Sequence, residues 1–166
     1  MRMMHEPRVF QSVVELIVAQ RPDEIETRES VGGLTALAWA AKKGNCAAIR
    51  PLVAAGANLN SRDDSGSTPV LHAAVSASVP AMEVLIEAGA DVNATAKGTS
   101  VACRGTTAGP ATGWSPLTWT ARKGQLTAMR LLLGAGADVN ARGGAGGATP
   151  MIQAAMGGHV VGRCAV

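Results

Sequence analysis

Apolar residues recur along this chain at helical spacing, in short blocks that each close on glycine. Val79, Met82, Leu85 and Ile86 fall three or four apart, as do Leu126, Met129, Leu132 and Leu133, which places each set on one face of an α-helix. Ahead of these blocks run shorter, alanine-rich ones that open with Thr or Ser, followed in three of four cases by Pro. A hydroxyl side chain at the N-cap can accept a bond from an orphan backbone N–H, and proline at the first helical position loses nothing by its missing donor. The first helices are predicted to end at Gly44, Ser78, Gly124 or Gly158. The second helices are predicted to end at the glycine of a five-residue landmark, where a left-handed residue stops the helix.

These blocks form a repeat. Thr35-Ala-Leu-Ala-Trp-Ala-Ala41 aligns with Thr68-Pro-Val-Leu-His-Ala-Ala74, Ser115-Pro-Leu-Thr-Trp-Thr-Ala121 and Thr149-Pro-Met-Ile-Gln-Ala-Ala155, at steps of 33, 47 and 34 residues. The landmarks Gly56-Ala-Asn-Leu-Asn60, Gly89-Ala-Asp-Val-Asn93 and Gly136-Ala-Asp-Val-Asn140 repeat the steps of 33 and 47. The long step is the short one plus an insertion of 14 residues, and both landmarks place it between Asn93 and Ser115. Helices this short are marginal alone, so each pair has to bury its apolar face on its neighbours, which predicts an all-α stacked solenoid.

The 33-residue period and the Thr-Pro-Leu-His-x-Ala-like blocks resemble the ankyrin repeat, over roughly residues 30 to 166. The resulting units are a degenerate N-terminal capping repeat over 1–29, repeats over 30–61 and 62–94, a flexible insertion over 95–112, a repeat over 113–141 and a truncated one over 142–166. In the cap, Phe10, Val13, Val14 and Ile17 share a helical face that Pro22 terminates. The next terminal glycine would fall at 170, past Val166, so the last helix is expected to be cut short and the chain reads as a fragment. Two departures from the family stand out. Ala38, Leu71, Thr118 and Ile152 occupy the position where the family has His, so the bonds that His makes between loops are expected to be missing, and His72, one place later, is not expected to substitute. Pro51 lies inside a second helix and predicts a kinked or late-starting one there.

Composition narrows the function classes. There are 31 Ala and 20 Gly but only three Trp, one Phe and no Tyr, so the helices must approach on small residues. That scarcity also disfavours the stacking platforms of single-strand nucleic-acid binders. A net charge of +3 with no Lys/Arg run gives no electrostatic footprint for duplex binding. The apolar stretch from Val9 to Ala19 is broken by Gln11, Ser12 and Glu15, and reads as neither a signal peptide nor a membrane span. Cys46, Cys103 and Cys164 are odd in number and far apart, which points to reduced thiols in cytosol or nucleus. With His5, His72 and His159 they form no metal-ligand spacing. Cys103 next to Arg104 has no base in its loop, and the glycines of 105–113 and 143–147 lack the strand and lysine of a phosphate cradle. No metal, cofactor or catalytic residue is therefore assigned.

What the resemblance implies is a non-catalytic protein–protein interaction module or scaffold, with partners docking in a concave groove of loop tips and first-helix ends. The alternative is a regulatory or targeting segment of a larger enzyme or channel. Carried onto this chain, the helix ends are Lys42 and Lys43, Val75 and Ser76, Arg122 and Lys123, and Met156 and Gly157. The two basic pairs suit a partner with an acidic segment. The loop tips are Leu34, Asp64, Ser65, Ser67, Trp114 and Ala148, of which Trp114 is the first choice because an exposed Trp is the commonest interface hot spot. Trp39 and Trp119 sit one turn into their helices and are expected in the core.

Overall fold

The computed structural model describes residues 13–21, 24–96, 113–143 and 145–158. Phe10, Pro22, Cys103, Cys164, His5, His159 and most of the 95–112 insertion lie outside them. Eight helices fill the described residues: α1 Val13–Gln20, α2 Ala36–Lys43, α3 Cys46–Ala54, α4 Pro69–Val75, α5 Val79–Glu87, α6 Pro116–Lys123, α7 Leu126–Gly134 and α8 Pro150–Met156. An isolated bridge between Gly143 and Ala148 is the one extended pairing among them.

The helices stack in two layers. α2, α4, α6 and α8 pack in succession as an inner layer, α1, α3, α5 and α7 as an outer one, and α2·α3, α4·α5 and α6·α7 join the layers as helix pairs. Alanine makes the approach possible: Ala38, Ala41, Ala73, Ala74, Ala81, Ala121 and Ala128 are all buried where helices touch. Leu37, Ile49, Leu71, Met82, Leu85, Leu117 and Leu132 fill the space between the layers. In α1 only Val14 and Val18 pack against this core, whereas Val13 and Ile17 stay exposed.

The landmarks act as rungs between units. Asn60 Oδ1 accepts the Asp91 N–H at 2.9 Å, and Asn93 Oδ1 accepts the Asp138 N–H at 2.8 Å. In the first unit Glu26 takes this part, accepting the Asn58 N–H at 2.7 Å. Within each landmark a side chain two residues back caps the turn, Asp91 Oδ1 accepting from Asn93 N and Asp138 Oδ1 from Asn140 N. Gly56, Gly89 and Gly136 have φ of 85°, 92° and 83°, the left-handed stop expected there.

The insertion leaves this register intact because it is pinched at its root. Ala96 donates its N–H to the Trp114 carbonyl at 2.9 Å. Position 113 must be glycine, since a Cβ there would collide with the Ala96 carbonyl. Arg62 tethers the near side, donating to the Thr95 and Gly66 carbonyls at 2.7 and 3.0 Å.

Local rules hold with three exceptions. Thr35 and Ser115 accept N-cap bonds from Ala38 N and Thr118 N, but Thr68 and Thr149, at the same position with extended backbone, make none. α3 starts at Cys46, in register with α5 and α7, and runs through Pro51 to Ala54, so of the kink or late start expected there the late start does not occur. The Asn45 side chain secures that start by accepting the Ala48 N–H at 3.2 Å. Finally, the left-handed turn after each inner helix is Gly44, Gly124 and Gly158 in three units but Ala77, with φ of 57°, in the other. Ser78, the end expected from sequence, is one residue beyond it. A Cβ in left-handed backbone costs roughly 1–2 kcal/mol, of which glycine's extra chain entropy in the unfolded state offsets part. Ala77→Gly should therefore raise unfolding stability by about 0.5–1 kcal/mol in urea titrations; an unchanged or lower midpoint would show the strain is absent.

Candidate functional site

Two positions of each unit decide which side chains reach the surface. The first precedes the N-cap: Leu34, Ser67, Trp114 and Ala148 hold it, and all four are buried. Trp114, expected to be an exposed contact residue, is 1% exposed, and Leu34 is likewise turned inward. For Trp114 the cause is a hydrophobic staple, in which the residue before the cap packs on the one four places after the cap. Trp114 and Trp119 stand in that relation, with ring centroids 5.3 Å apart and planes at 78°. This edge-to-face pair is worth about 0.5–1.5 kcal/mol beyond the area it buries. Among the described residues neither indole N–H has a hydrogen-bond acceptor.

The second position is that fourth residue after the cap: Trp39, His72, Trp119 and Gln153. Each reaches back to the loop ahead of its own helix. Trp39 Nε1 donates to Glu29 Oε2 at 2.7 Å, His72 Nε2 to Asp63 Oδ2 at 2.9 Å, and Gln153 Nε2 to the Gly143 carbonyl at 2.9 Å, while Trp119 meets Trp114 edge to face. His72 thus ties its helix to the loop of its own unit from one residue past the family's His position, a bond within the unit rather than one between loops. At that family position Thr118 closes a capping box with Ser115 instead, donating its N–H to Ser115 Oγ and accepting the Ser115 N–H. The clue lay in the register, since all four side chains at the next position carry an N–H donor or an aromatic ring.

Asp63 organises the loop that His72 holds. Its Oδ1 accepts from Ser65 N at 2.9 Å, Ser65 Oγ at 2.6 Å and Ser67 N at 2.7 Å. Ser65 is accordingly half-buried in bonds of its own loop, whereas Asp64 beside it is exposed at the tip. Burial pushes the His72 imidazole below its ordinary 6.5; the Asp63 carboxylate opposes the shift and Lys42 adds to it.

The basic helix ends are placed by this same row. Lys42 and Lys43 are exposed, with Nζ 4.7 and 5.5 Å from the centre of the Trp39 ring, and exposed Lys123 stands 5.3 Å from that of Trp119. Such contacts contribute about 0.5–1 kcal/mol at exposed sites. Arg122 is half-buried and donates from Nη1 to Gln153 Oε1 of the next unit at 3.2 Å. At the equivalent ends of the other inner helices, Val75 is half-buried, Ser76 and Met156 are exposed and Gly157 is half-buried. Trp39, expected in the core, is half-exposed: it borders a cleft of about 440 Å³ that α1 forms with α2 and α3, where Val14, Ile17 and Val18 face it. Trp119, which the Trp114 ring covers, is buried as expected. Among the described residues no His, Cys, Asp and Glu group has the geometry to hold a metal ion, and no helix is long and apolar enough to cross a membrane.

The family model described as ankyrin repeats (3 copies) matches residues 8–96, and the one described as ankyrin repeats (many copies) matches 112–164. The chain belongs to the ankyrin repeat family, whose repeats are generally protein–protein interaction modules and typically non-catalytic. Among curated proteins none matches it.

Two outcomes follow from this geometry. Trp114→Ala should lower unfolding stability by about 3–5 kcal/mol, the usual range for deleting a buried Trp; a loss below 1 kcal/mol in urea titrations would mean the ring is not a structural wedge. For His72, the folded state disfavours the proton relative to the unfolded chain. Its contribution is therefore complete above 6.5 and declines as pH falls below that value toward the lower folded-state one. The melting temperature of the wild type should drop between pH 7.5 and 5.5 more steeply than that of His72→Asn, and parallel curves would rule the linkage out.

Proposed function

We propose that this chain is a non-catalytic scaffold that docks a protein partner carrying an acidic segment on the helix-end face of its inner layer. The observation that carries the reading is the set of exposed ammonium groups, Lys42, Lys43 and Lys123, seated over indole rings at matching ends of α2 and α6. A lysine already parked against a ring has less rotamer freedom to lose on binding, and charges on an exposed face speed encounter with an acidic partner. Arg122 adds charge from its bridge to Gln153, while Asp64 and Ser65, in the loop ahead of α4, stand at the other end of that helix and outside this face. Trp114 and Leu34, being buried, take no part in the contact surface. The half-buried free thiol of Cys46 is compatible with cytosol or nucleus as the place where this happens.

The test is a titration of isotope-labelled protein with a soluble Glu-rich peptide, followed by amide and indole NMR shifts. Shifts should concentrate on 42–43, 76, 122–123 and the Trp39 indole. Combined Lys42→Gln, Lys43→Gln and Lys123→Gln should weaken binding roughly tenfold or more. Shifts spread evenly over all basic residues, with binding unchanged in the triple variant, would defeat the proposal.

A further inference from the structure

The cations of this face are not continuous. They occur at α2 and at α6, and the inner helix between them, α4, offers uncharged Val75 and Ser76 at the matching positions. Two carboxylates in the loops ahead of α2 and α4 keep their charge but are held in local hydrogen bonds. Asp63 is engaged by His72 and by its own loop, and Glu29 is bonded to the Trp39 indole. Asp63 and Asp64 also belong to the loop before α4, at the opposite end of that helix from Ser76. The face therefore presents two positive centres with a neutral stretch between.

Stacked helices lie about 8–10 Å apart, so two steps of the inner layer separate the centres by roughly 16–20 Å. An extended chain rises about 3.3 Å per residue and covers that distance in five or six residues. A docking helix would need an apolar stripe to lie against, and this face offers lysines, a serine and one half-buried valine instead. We infer that the partner segment is an extended peptide with two acidic clusters whose centres lie five or six residues apart, one on Lys42 and Lys43, the other on Lys123 and Arg122, with uncharged residues crossing α4. This specifies the ligand of the face proposed above and rests on that reading. A nucleic acid is a poorer match because its charges repeat at every phosphate and the intervening ones would find no cation over α4.

Three synthetic peptides of equal length and charge test the inference. Each carries two Glu-Glu pairs in a Gly/Ser background, with pair centres two, five or nine residues apart, and affinity is read by fluorescence anisotropy on the full chain. The five-residue spacing should bind about five- to tenfold more tightly than either alternative, a gap in keeping with losing one of two linked contacts. Lys123→Gln alone, or Lys42→Gln with Lys43→Gln, should abolish that preference, with melting temperatures confirming that the variants fold. Equal affinity for all three peptides, with NMR shifts still on the helix-end face, would overturn the spacing and leave the docking face standing. Scattered shifts would remove the face itself. Tighter binding of a single-stranded oligonucleotide or of phosphatidylserine vesicles at the same salt concentration would overturn the assignment to a peptide.

Discussion

Inner and outer helices of seven to nine residues cannot hold themselves together in water, so everything in this molecule depends on stacking one pair on the next. That requirement explains why buried alanines line the contacts, because short helices gain most by approaching closely along their whole length. It also explains the Asn rungs. The layers could slide past each other were packing the only link, and Asn60 to Asp91 and Asn93 to Asp138 fix one register for both interfaces. The second of these spans the insertion, whose root the Ala96 to Trp114 bond closes, so extra chain enters without disturbing the stack.

The same demand for register assigns the aromatic residues. Each unit must join its loop to its inner helix, and the residues at the staple and one turn into the helix do so in four chemically different ways. A carboxylate meets an indole, another meets an imidazole, two indole rings meet edge to face, and an amide meets a backbone carbonyl. Because two of these anchors are indoles one turn before a basic helix end, the lysines there come to rest over a ring face. Structural anchoring and surface charge are thus linked: the residues that hold the loops also set the position of the cations.

Much of this was legible in the chain itself. The period, the helix pairs, the capping glycines and the site of the insertion follow from spacing, and the basic pairs at the ends of α2 and α6 were recognisable once the units were aligned. The residue before Ser115 has the sequence setting of a loop tip but not its exposure. Glycine before it and a cap after it look like an exposed turn, yet the N′ position of a capped helix points back over the first turn, and Trp119 waits four residues past the cap. His72 stands one place off the family motif, yet Trp39, Trp119 and Gln153 in the same register share its capacity to reach the loop.

The sequence by itself determined the repeat, its helical character and where charge accumulates along it, because those properties depend on neighbours within three or four residues and on a period that local spacing reveals. Which indole is buried and which remains half-open was decided only by tertiary structure. Trp39 and Trp119 occupy identical positions, but Trp119 is covered by the Trp114 ring while Trp39 borders the cleft beside α1. Burial depends on what the fold places on the far side of a side chain, and that neighbour came from the residue before the cap in one unit and from an open cleft in the other.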